Sequence, residues 1–192
     1  MVLVSGYFVS ATSPIGKWNG FKWNVNESNG VFVSGFGQRI ITIAGQGMGN
    51  YWNNERRISK TLGKRSVQVD LALADLPASA SSAGIWLVKD SQNALIVEKH
   101  RDITDPQYHT NVFIVERVNG MDNFMYVSPD LPSANFDTYK IQKTQNGYNI
   151  FYNGPLVYTG NLNLSQFNTV ALVGVARATG DQINATFRRY SE

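Results

Sequence analysis

Two glutamates lie near the ends of successive apolar segments and could act together in acid–base chemistry. Glu98 belongs to the segment 93–100, and Glu116 shares one strand face with the apolar residues before it in the segment 110–117. If these segments are adjacent strands, the two carboxyl groups could converge in one groove, with Asp70 as a further neighbour. Two carboxyls about 5–9.5 Å apart are what glycoside hydrolysis requires. The alternative is that these are exposed carboxylates beside the basic residue that follows each glutamate.

A second candidate for acid–base chemistry is a pair of histidines around a polar loop. His100 precedes the segment 101–109 and His109 ends it, and Tyr108 adjoins the second histidine. In a polysaccharide lyase, such a His/Tyr pair could remove the proton next to a uronate carboxyl and protonate the leaving oxygen. Tyr126 is a further candidate for the same groove. The alternative is that both histidines only pack against the surface loop.

Metal binding has weaker support in the sequence. The two histidines could begin a metal site with Asp102 and Asp105, but their spacing matches no recognised ligand pattern. Asp102, Asp105 and Asp122 could supply oxygens to calcium, although no complete ligand set is visible. There is no cysteine, which excludes disulfides and thiolate metal sites. No cofactor is therefore expected.

Aromatic residues in polar segments suggest binding of a ligand instead of catalysis. Tyr51 and Trp52 are followed by Asn53 in a long polar stretch, so that a stacking platform adjoins amide groups. Trp18 and Trp23 lie in turn-rich sequence and are expected at the edge of the core. Trp86 lies in an apolar strand and is expected inside the core.

Positive charge is concentrated in one short part of the chain. The net charge is +3, and the densest basic cluster includes Arg56. Its members are Arg56, Arg57, Lys60, Lys64 and Arg65. This cluster is either a solvated loop or an anion-binding site. Because the positive charge does not form an extended patch or stripe, nucleic acid is not an expected partner.

The composition predicts an all-β protein. Charged residues are only 16% of the chain, and the polar surface depends on Asn, Ser, Thr, Gln and Gly, several of which are poor helix formers. Asn-Gly dipeptides, which favour tight hairpin turns, recur between short runs of Val, Ile, Phe and Tyr. We expect strands near 2–10, 30–34, 38–44, 66–74, 83–89, 93–99, 110–118, 123–127, 137–143, 148–152, 155–159, 170–176 and 183–189. Only the segments 72–80 and 161–167 have a briefly helical pattern.

The chain is expected to form one domain over residues 1–192, since no linker divides it. Residues 44–66 are the longest polar stretch and are expected to be an irregular loop. Met1 to Ala11 is apolar but lacks a basic start, and it is interpreted as a first strand and not as a signal peptide. No apolar run is long enough to cross a membrane.

Three segments resemble the concanavalin A-like, or laminin-G-like, jelly-roll families. AGIWLVKDSQNALIVEK at 83–99 is similar to the strand–turn–strand hairpin of these families. The segment 137–159 is similar to their next signature, in which a strand turns at Asn-Gly and continues to an aromatic-Asn-Gly sequence. GVARATGDQINATFRRYS at 174–191 resembles the closing pair of strands. The resemblance covers mainly residues 66–192.

The resemblance implies a sandwich of two curved antiparallel sheets whose concave outer face commonly binds carbohydrate, and it favours an extracellular or cell-surface location. The fold alone does not decide between binding and catalysis. The chain lacks the Glu-x-Asp-x-Glu strand of the retaining glucanases of this fold, and it lacks the Arg-x-Glu-Leu and Gln-x-His motifs of the alginate lyases.

The leading hypothesis is therefore a non-catalytic carbohydrate-binding or adhesive module, with a glycan as partner. Its expected ligand-binding residues are Tyr51, Trp52, Asn53, Arg56, Asp70 and Tyr108. The alternative is a glycosidase or polysaccharide lyase that uses Glu98, Glu116, His100, His109 or Tyr126. A third hypothesis is a coat or appendage subunit that self-associates through an exposed strand edge.

Overall fold

Two antiparallel sheets make up the structure. The computed structural model describes residues 15–26, 30–49, 54–76, 80–102, 110–131 and 135–192. These residues form fifteen β-strands, numbered in chain order, and they include no helix long and apolar enough to span a membrane. The prediction of an all-β sandwich is confirmed.

The larger sheet has eight strands in the spatial order β1-β2-β5-β14-β7-β8-β9-β10. Its strands are β1 (Ile15–Trp18), β2 (Phe21–Val25), β5 (Glu55–Thr61), β7 (Ala80–Asp90), β8 (Asn93–Asp102), β9 (Thr110–Val118), β10 (Met121–Val127) and β14 (Thr169–Ala176).

The smaller sheet has seven strands in the spatial order β13-β12-β11-β6-β15-β4-β3. Its strands are β3 (Val31–Ser34), β4 (Ile40–Gln46), β6 (Ser66–Leu73), β11 (Asp137–Lys143), β12 (Tyr148–Tyr152), β13 (Leu156–Gly160) and β15 (Gln182–Ser191). The last two strands of the chain, β14 and β15, each lie inside a sheet and not at its edge.

Alternation of apolar and polar residues decides which side chains enter the core between the sheets. In β6, Val67, Val69 and Leu71 are buried in the interior, while Gln68 and Asp70 point to the outer face. In β8, Leu95 and Val97 point inward by the same alternation. The interior cluster therefore receives apolar side chains from both sheets.

The expected hairpin turns form at Asn-Gly dipeptides. Asn19, Asn119 and Asn153 have φ values of 49°, 52° and 50°, and the glycine after each also has a positive φ. This left-handed pair of residues is the conformation that two-residue hairpin turns require. These turns connect β1 to β2, β9 to β10 and β12 to β13.

Three strands were not expected from the sequence, namely β1, β2 and β5. The stretch 44–66 was expected to be an irregular loop, and that prediction is wrong for Glu55–Thr61, which pairs with both β2 and β14. The described residues of 72–80 and 161–167 form no helix. The strand expected at 2–10 lies outside the described residues.

The tryptophans near the start of the described chain are buried more deeply than expected. Trp18 and Trp23 are almost completely buried, and their rings lie 5.8 Å apart. The ring of Tyr190 meets that of Trp23 edge to face at 4.8 Å. This aromatic cluster joins the beginning of the larger sheet to the last strand of the smaller sheet.

Candidate functional site

A groove of about 380 Å³ lies on the outer face of the eight-stranded sheet, the face turned away from the seven-stranded sheet. Side chains from β7, β8, β9 and β10 line it, together with Arg177 after β14. Its floor belongs to a second apolar cluster, separate from the interior core, which includes Trp86, Ile96 and Val115. The antiparallel register brings these three residues side by side, since Trp86 pairs with Ile96 and Ile96 pairs with Val115.

Glu98 is the buried carboxyl group of the groove. It pairs with Gly84 on one side and with Phe113 on the other, and it is only 6% exposed. A Cβ atom at position 84 would lie 2.6 Å from the Cβ of Glu98. Glycine is therefore required at position 84, because a side chain there would collide with Glu98 and with the carbonyl oxygen of Val97.

The environment of Glu98 favours the protonated form of its carboxyl group. Burial raises its pKa above the usual carboxyl range, and the negative charge of Glu55 raises it further. The guanidinium of Arg177, whose Nη2 lies 3.7 Å from Oε1 of Glu98, opposes this shift. The direction of the net shift is upward, as expected for a carboxyl group in an apolar and aromatic setting.

Two arginines cover the indole ring of Trp86. The Cζ atoms of Arg57 and Arg117 lie 5.1 and 5.9 Å from the ring centroid. Each arginine is held by a carboxylate: Arg57 Nε donates to Glu55 at 3.0 Å, and Arg117 donates to both oxygens of Asp122 at 2.6 and 2.8 Å. The guanidinium groups are thereby fixed over the aromatic floor of the groove.

Aromatic side chains also form the wall of the groove. The ring of Phe113 lies 5.1 Å from that of His100 and meets the ring of Phe124 edge to face at 5.7 Å. Phe124 is 65% exposed, whereas Trp86 is only 2% exposed. The groove therefore offers an accessible aromatic surface at its rim and a buried one at its floor.

Several buried polar atoms on this face have no hydrogen-bond partner among the described residues. In the groove, Oε2 of Glu98 and Nε1 of Trp86 lack a hydrogen bond of ideal geometry, but the indole N–H interacts with the Glu98 carboxyl and lowers its pKa. Beside the groove, two more such atoms are Oγ of Ser82 and Oδ1 of Asn111. Both residues pair with His100 in the sheet. Buried polar atoms in native proteins nearly always have partners, so these atoms mark positions where ligand or solvent groups can bind.

The predicted convergence of Glu98 and Glu116 is wrong. Glu116 pairs with Leu95, a residue of the interior core, and therefore points between the sheets. There it accepts a hydrogen bond of 2.7 Å from the hydroxyl of Tyr148. The alternation within each strand is as the sequence predicts, but the register puts the two glutamates on opposite faces of the sheet.

Tyr126 likewise lies away from the groove. The pairing of β10 with β9 shifts at a bulge between Phe124 and Tyr126, so that Phe124 points to the groove while Tyr126 pairs with Ile114 of the interior. The ring of Tyr126 lies 6.5 Å from that of Tyr158. Of the predicted catalytic candidates, the structure places Glu98 and His100 in the groove.

Two predicted ligand-binding residues have other partners. Arg56 donates from Nε to the carbonyl of Val31 at 3.0 Å, which links β5 to the edge of the other sheet. Asp70 lies on the outer face of the seven-stranded sheet, where it accepts hydrogen bonds from Thr138 at 2.8 Å and from Arg189. Neither side chain is near the groove, so the expected position of Asp70 beside Glu98 is also wrong.

The remaining predicted residues lie outside the described part of the chain. These are Tyr51, Trp52, Asn53, Tyr108, His109 and Asp105. Asp102 ends β8, and Asp122 is held by Arg117. Among the described residues, no three His, Asp or Glu side chains cluster closely enough to hold a metal ion.

Several groove residues were missed by the sequence reasoning. Trp86 was expected in the core; it is buried, but on the outer face. The alternation Phe113-Val115-Arg117 was visible in the sequence and could have identified the groove side of β9. What was lacking was the register between β8 and β9, which sequence alternation within one strand does not provide.

No protein-family model matches the sequence, and no curated protein matches it. Solved structures do match. A β-glucanase from Bacillus licheniformis superposes with a TM-score of 0.61 at 16% identity, over 94% of this chain and 98% of the glucanase. The fold is the concanavalin A-like jelly roll.

Other jelly rolls superpose equally well. The carbohydrate-binding module CBM66 from Bacillus subtilis matches with a TM-score of 0.59 at 14% identity, over 91% of this chain and 97% of the module. A glycoside hydrolase family 16 endo-glucanase from Bacteroides ovatus matches with a TM-score of 0.61 at 10% identity, over 88% of this chain and 94% of the enzyme. Carbohydrate-binding and carbohydrate-cleaving proteins thus share this jelly roll.

Proposed function

We propose that this jelly roll is a non-catalytic carbohydrate-binding or adhesive module and that the groove on the outer face of its eight-stranded sheet binds a glycan. The observation that carries the proposal is the meeting of two kinds of group in one groove. The exposed ring of Phe124 at the rim can stack on the apolar face of a sugar, and the polar side chains around it, such as Glu98 and Arg177, can hydrogen-bond to sugar hydroxyls. Binding pockets typically combine an apolar lining with a few polar groups of this kind.

The carboxylates of the groove support binding over catalysis. A glycosidase needs a second free carboxyl beside the proton donor. Glu116 points into the interior, and two carboxylates close to Trp86 and Glu98 in the described part of the chain, Glu55 and Asp122, are each held by an arginine. Such paired groups are well suited to hold hydroxyls in fixed positions.

The first test is a glycan-array screen of the purified protein with and without calcium, followed by an assay for new reducing ends on each glycan that binds. Binding without product is the expected result. The absence of binding to any glycan across a broad array would contradict the proposal.

The second test assigns the binding to the groove. Phe124→Ala removes the exposed aromatic rim, and we expect about tenfold weaker glycan binding, equivalent to ~1.4 kcal/mol. Phe32→Ala is the matched control, because Phe32 is 63% exposed but belongs to an edge strand of the other sheet. Titration calorimetry should show unchanged affinity for the control; equal losses in both variants would place the binding site elsewhere.

A glycan-cleaving enzyme is the second candidate, and one observation favours it. The raised pKa of Glu98 suits a general acid that must be protonated near neutral pH, and Glu55 is close enough to influence it. If the reducing-end assay shows product, Glu98→Gln should abolish turnover while leaving glycan affinity nearly unchanged. Turnover that persists in this variant would exclude Glu98 as the acid.

A further inference from the structure

A second cavity, of about 620 Å³, lies at one end of the sandwich and not on a sheet face. Three segments form its walls: residues 62–65 between β5 and β6, residues 143–145 at the end of β11, and residues 163–168 before β14. The cavity lies beyond the pair Thr61–Thr169, where β5 ends and β14 begins. We call it the end pocket.

Hydrogen bonds and buried side chains hold the walls of the end pocket in place. The N–H of Leu62 donates to the carbonyl of Asn168 at 2.8 Å, and the N–H of Lys143 donates to the carbonyl of Arg65 at 2.7 Å. Leu164 and Phe167 anchor the third wall in the interior core. The cavity is therefore a built feature of the fold, since each wall is fixed to a neighbouring wall or to the core.

The charge of the end pocket is entirely positive. Lys64, Arg65 and Lys143 line it, and none of its lining residues is acidic. Among the described residues, neither Lys64 nor Arg65 forms an ion pair. The nearby carboxylate of Glu192 is already bound by Lys60 and by the N–H of Gly63. The three cations thus face an open cavity without a neutralising carboxylate.

Lys143 is the most constrained of these cations. Its Nζ donates to the carbonyl of Phe167 at 2.6 Å, which fixes the ammonium group at the wall of the pocket. Partial burial lowers its pKa because the charged form loses solvation. An anion in the pocket would stabilise the charged form of Lys143 and so compensate for the solvation that it loses on burial.

Neutral hydrogen-bond donors complete the lining. Thr144 and Ser165 supply hydroxyls, while Gln145, Asn163 and Asn168 supply amides. The oxygen of Asn163 accepts the N–H of Ser165 at 3.0 Å, which leaves the amide NH₂ of Asn163 to donate. Cations together with amide and hydroxyl donors are the groups that bind oxyanions.

From these observations we propose that the end pocket binds a tetrahedral oxyanion, a sulfate or phosphate group, carried as an ester on a larger molecule. The three cations are sufficient to neutralise such a group, which carries one negative charge as a sulfate ester and about two as a phosphate ester. The volume of the pocket exceeds that of the ion alone and leaves room for the molecule to which the ester is attached. This site is separate from the groove and does not depend on the proposed glycan binding there.

The test is a titration of the ¹⁵N-labelled protein with sodium sulfate at constant ionic strength, followed by amide chemical shifts. We expect saturable shifts confined to the walls of the end pocket, at residues such as Gly63, Ser165 and Asn168. The double variant Lys64→Gln/Arg65→Gln should weaken sulfate binding at least about tenfold, since two charge-assisted contacts are lost. Both side chains are exposed, so the variant should remain folded.

The matched control is Lys17→Gln/Lys22→Gln. It removes the same charge from two exposed lysines that pair across β1 and β2. Sulfate affinity in this control should stay within about twofold of the unmodified protein, because distant surface charges contribute little at physiological salt. Shifts that do not saturate, or equal losses in both double variants, would overturn the proposal.

Two further probes identify the source of the oxyanion. Sulfated dextran should bind about tenfold more tightly than sodium sulfate, and unmodified dextran of the same length should not bind the end pocket. If sodium sulfate binds as tightly as sulfated dextran, the pocket holds a free ion and the ester part of the proposal fails. Phe124→Ala should leave sulfate binding unchanged, so failure of the groove proposal and failure of this one remain distinguishable.

Discussion

At the scale of single residues, Glu98 is the group whose chemistry depends most on its surroundings. Gly84 and Phe113 flank it, and burial keeps its carboxyl largely out of contact with water. A carboxyl in such a place is more easily protonated than one in the unfolded chain. Its ionisation is therefore coupled to folding.

The stability of the protein should depend on pH through Glu98. Because the pKa of Glu98 is raised in the folded state, its protonated form stabilises the fold at low pH. That contribution is lost as the pH rises from the ordinary glutamate pKa, about 4.3, through the raised value. The Glu98→Gln variant should not show this loss. The free energies of unfolding of the two proteins should diverge by about 1.4 kcal/mol for each unit by which folding raises the pKa of Glu98.

Urea unfolding of both proteins between about pH 4 and pH 8 measures this effect. This is about the range in which a glutamate carboxyl with a raised pKa loses its proton. The free energy of unfolding of the unmodified protein should fall relative to that of the variant as the pH rises. Parallel curves would mean that Glu98 has the same pKa in the folded and unfolded chain.

At the scale of strands, one buried ion pair connects the two sheets. Nζ of Lys99 in β8 lies 2.7 Å from Oδ2 of Asp137 in β11, and both residues face the interior. Asn153 donates to the other oxygen of Asp137 at 2.9 Å. The pair joins strands of opposite sheets where most other contacts between the sheets are apolar.

We expect Lys99→Met to lower the free energy of unfolding by about 3–5 kcal/mol, because the Asp137 carboxylate would stay buried without its ammonium partner. The double variant Lys99→Met/Asp137→Leu removes both charges and should recover a large part of that loss. Chemical denaturation of the two variants gives the comparison. A double variant no more stable than the single one would show that the charges are not the source of the effect.

Strands with clear alternation could be predicted from the sequence, and strands with polar sequences could not. Val67, Val69 and Leu71 identified β6 and its inner face correctly. β5 has the sequence ERRISKT and resembles a loop, yet it is a strand because β2 and β14 supply hydrogen bonds on both sides. Tertiary pairing outweighs local preference in such a segment.

The candidate site was predictable only in part for a related reason. Sequence parity showed that Glu98 and His100 share a face and that Glu116 shares a face with Ile114. Which of these faces meets the other sheet depends on the register between strands, and a shift of one residue exchanges the faces. Arg57 reaches the ring of Trp86, and Arg177 reaches the groove, only through the order of strands in the sheet.

At the scale of the whole molecule, the order of strands makes the end of the chain structurally central. β14 lies between β5 and β7 in one sheet, and β15 lies between β4 and β6 in the other. Removing either strand would separate a sheet into two parts, which removing an edge strand would not do.

A chain that ends at Asp181 therefore lacks an internal strand of the seven-stranded sheet. We expect this truncated protein to lose cooperative thermal unfolding and most of its β-type circular dichroism. Addition of a synthetic peptide with the sequence of β15, Gln182–Ser191, should restore part of both signals. A truncated protein that unfolds cooperatively without the peptide would contradict this role for β15.

The same strand order has a consequence during synthesis of the protein. Ribosomes release the chain from its beginning at about 5–20 residues per second, and a strand can pair only with strands already made. β4, β5, β6 and β7 would then emerge with their backbone hydrogen-bonding groups unsatisfied along the edges that β14 and β15 later occupy. These edges therefore stay open to aggregation until β14 and β15 have left the ribosome and paired with them.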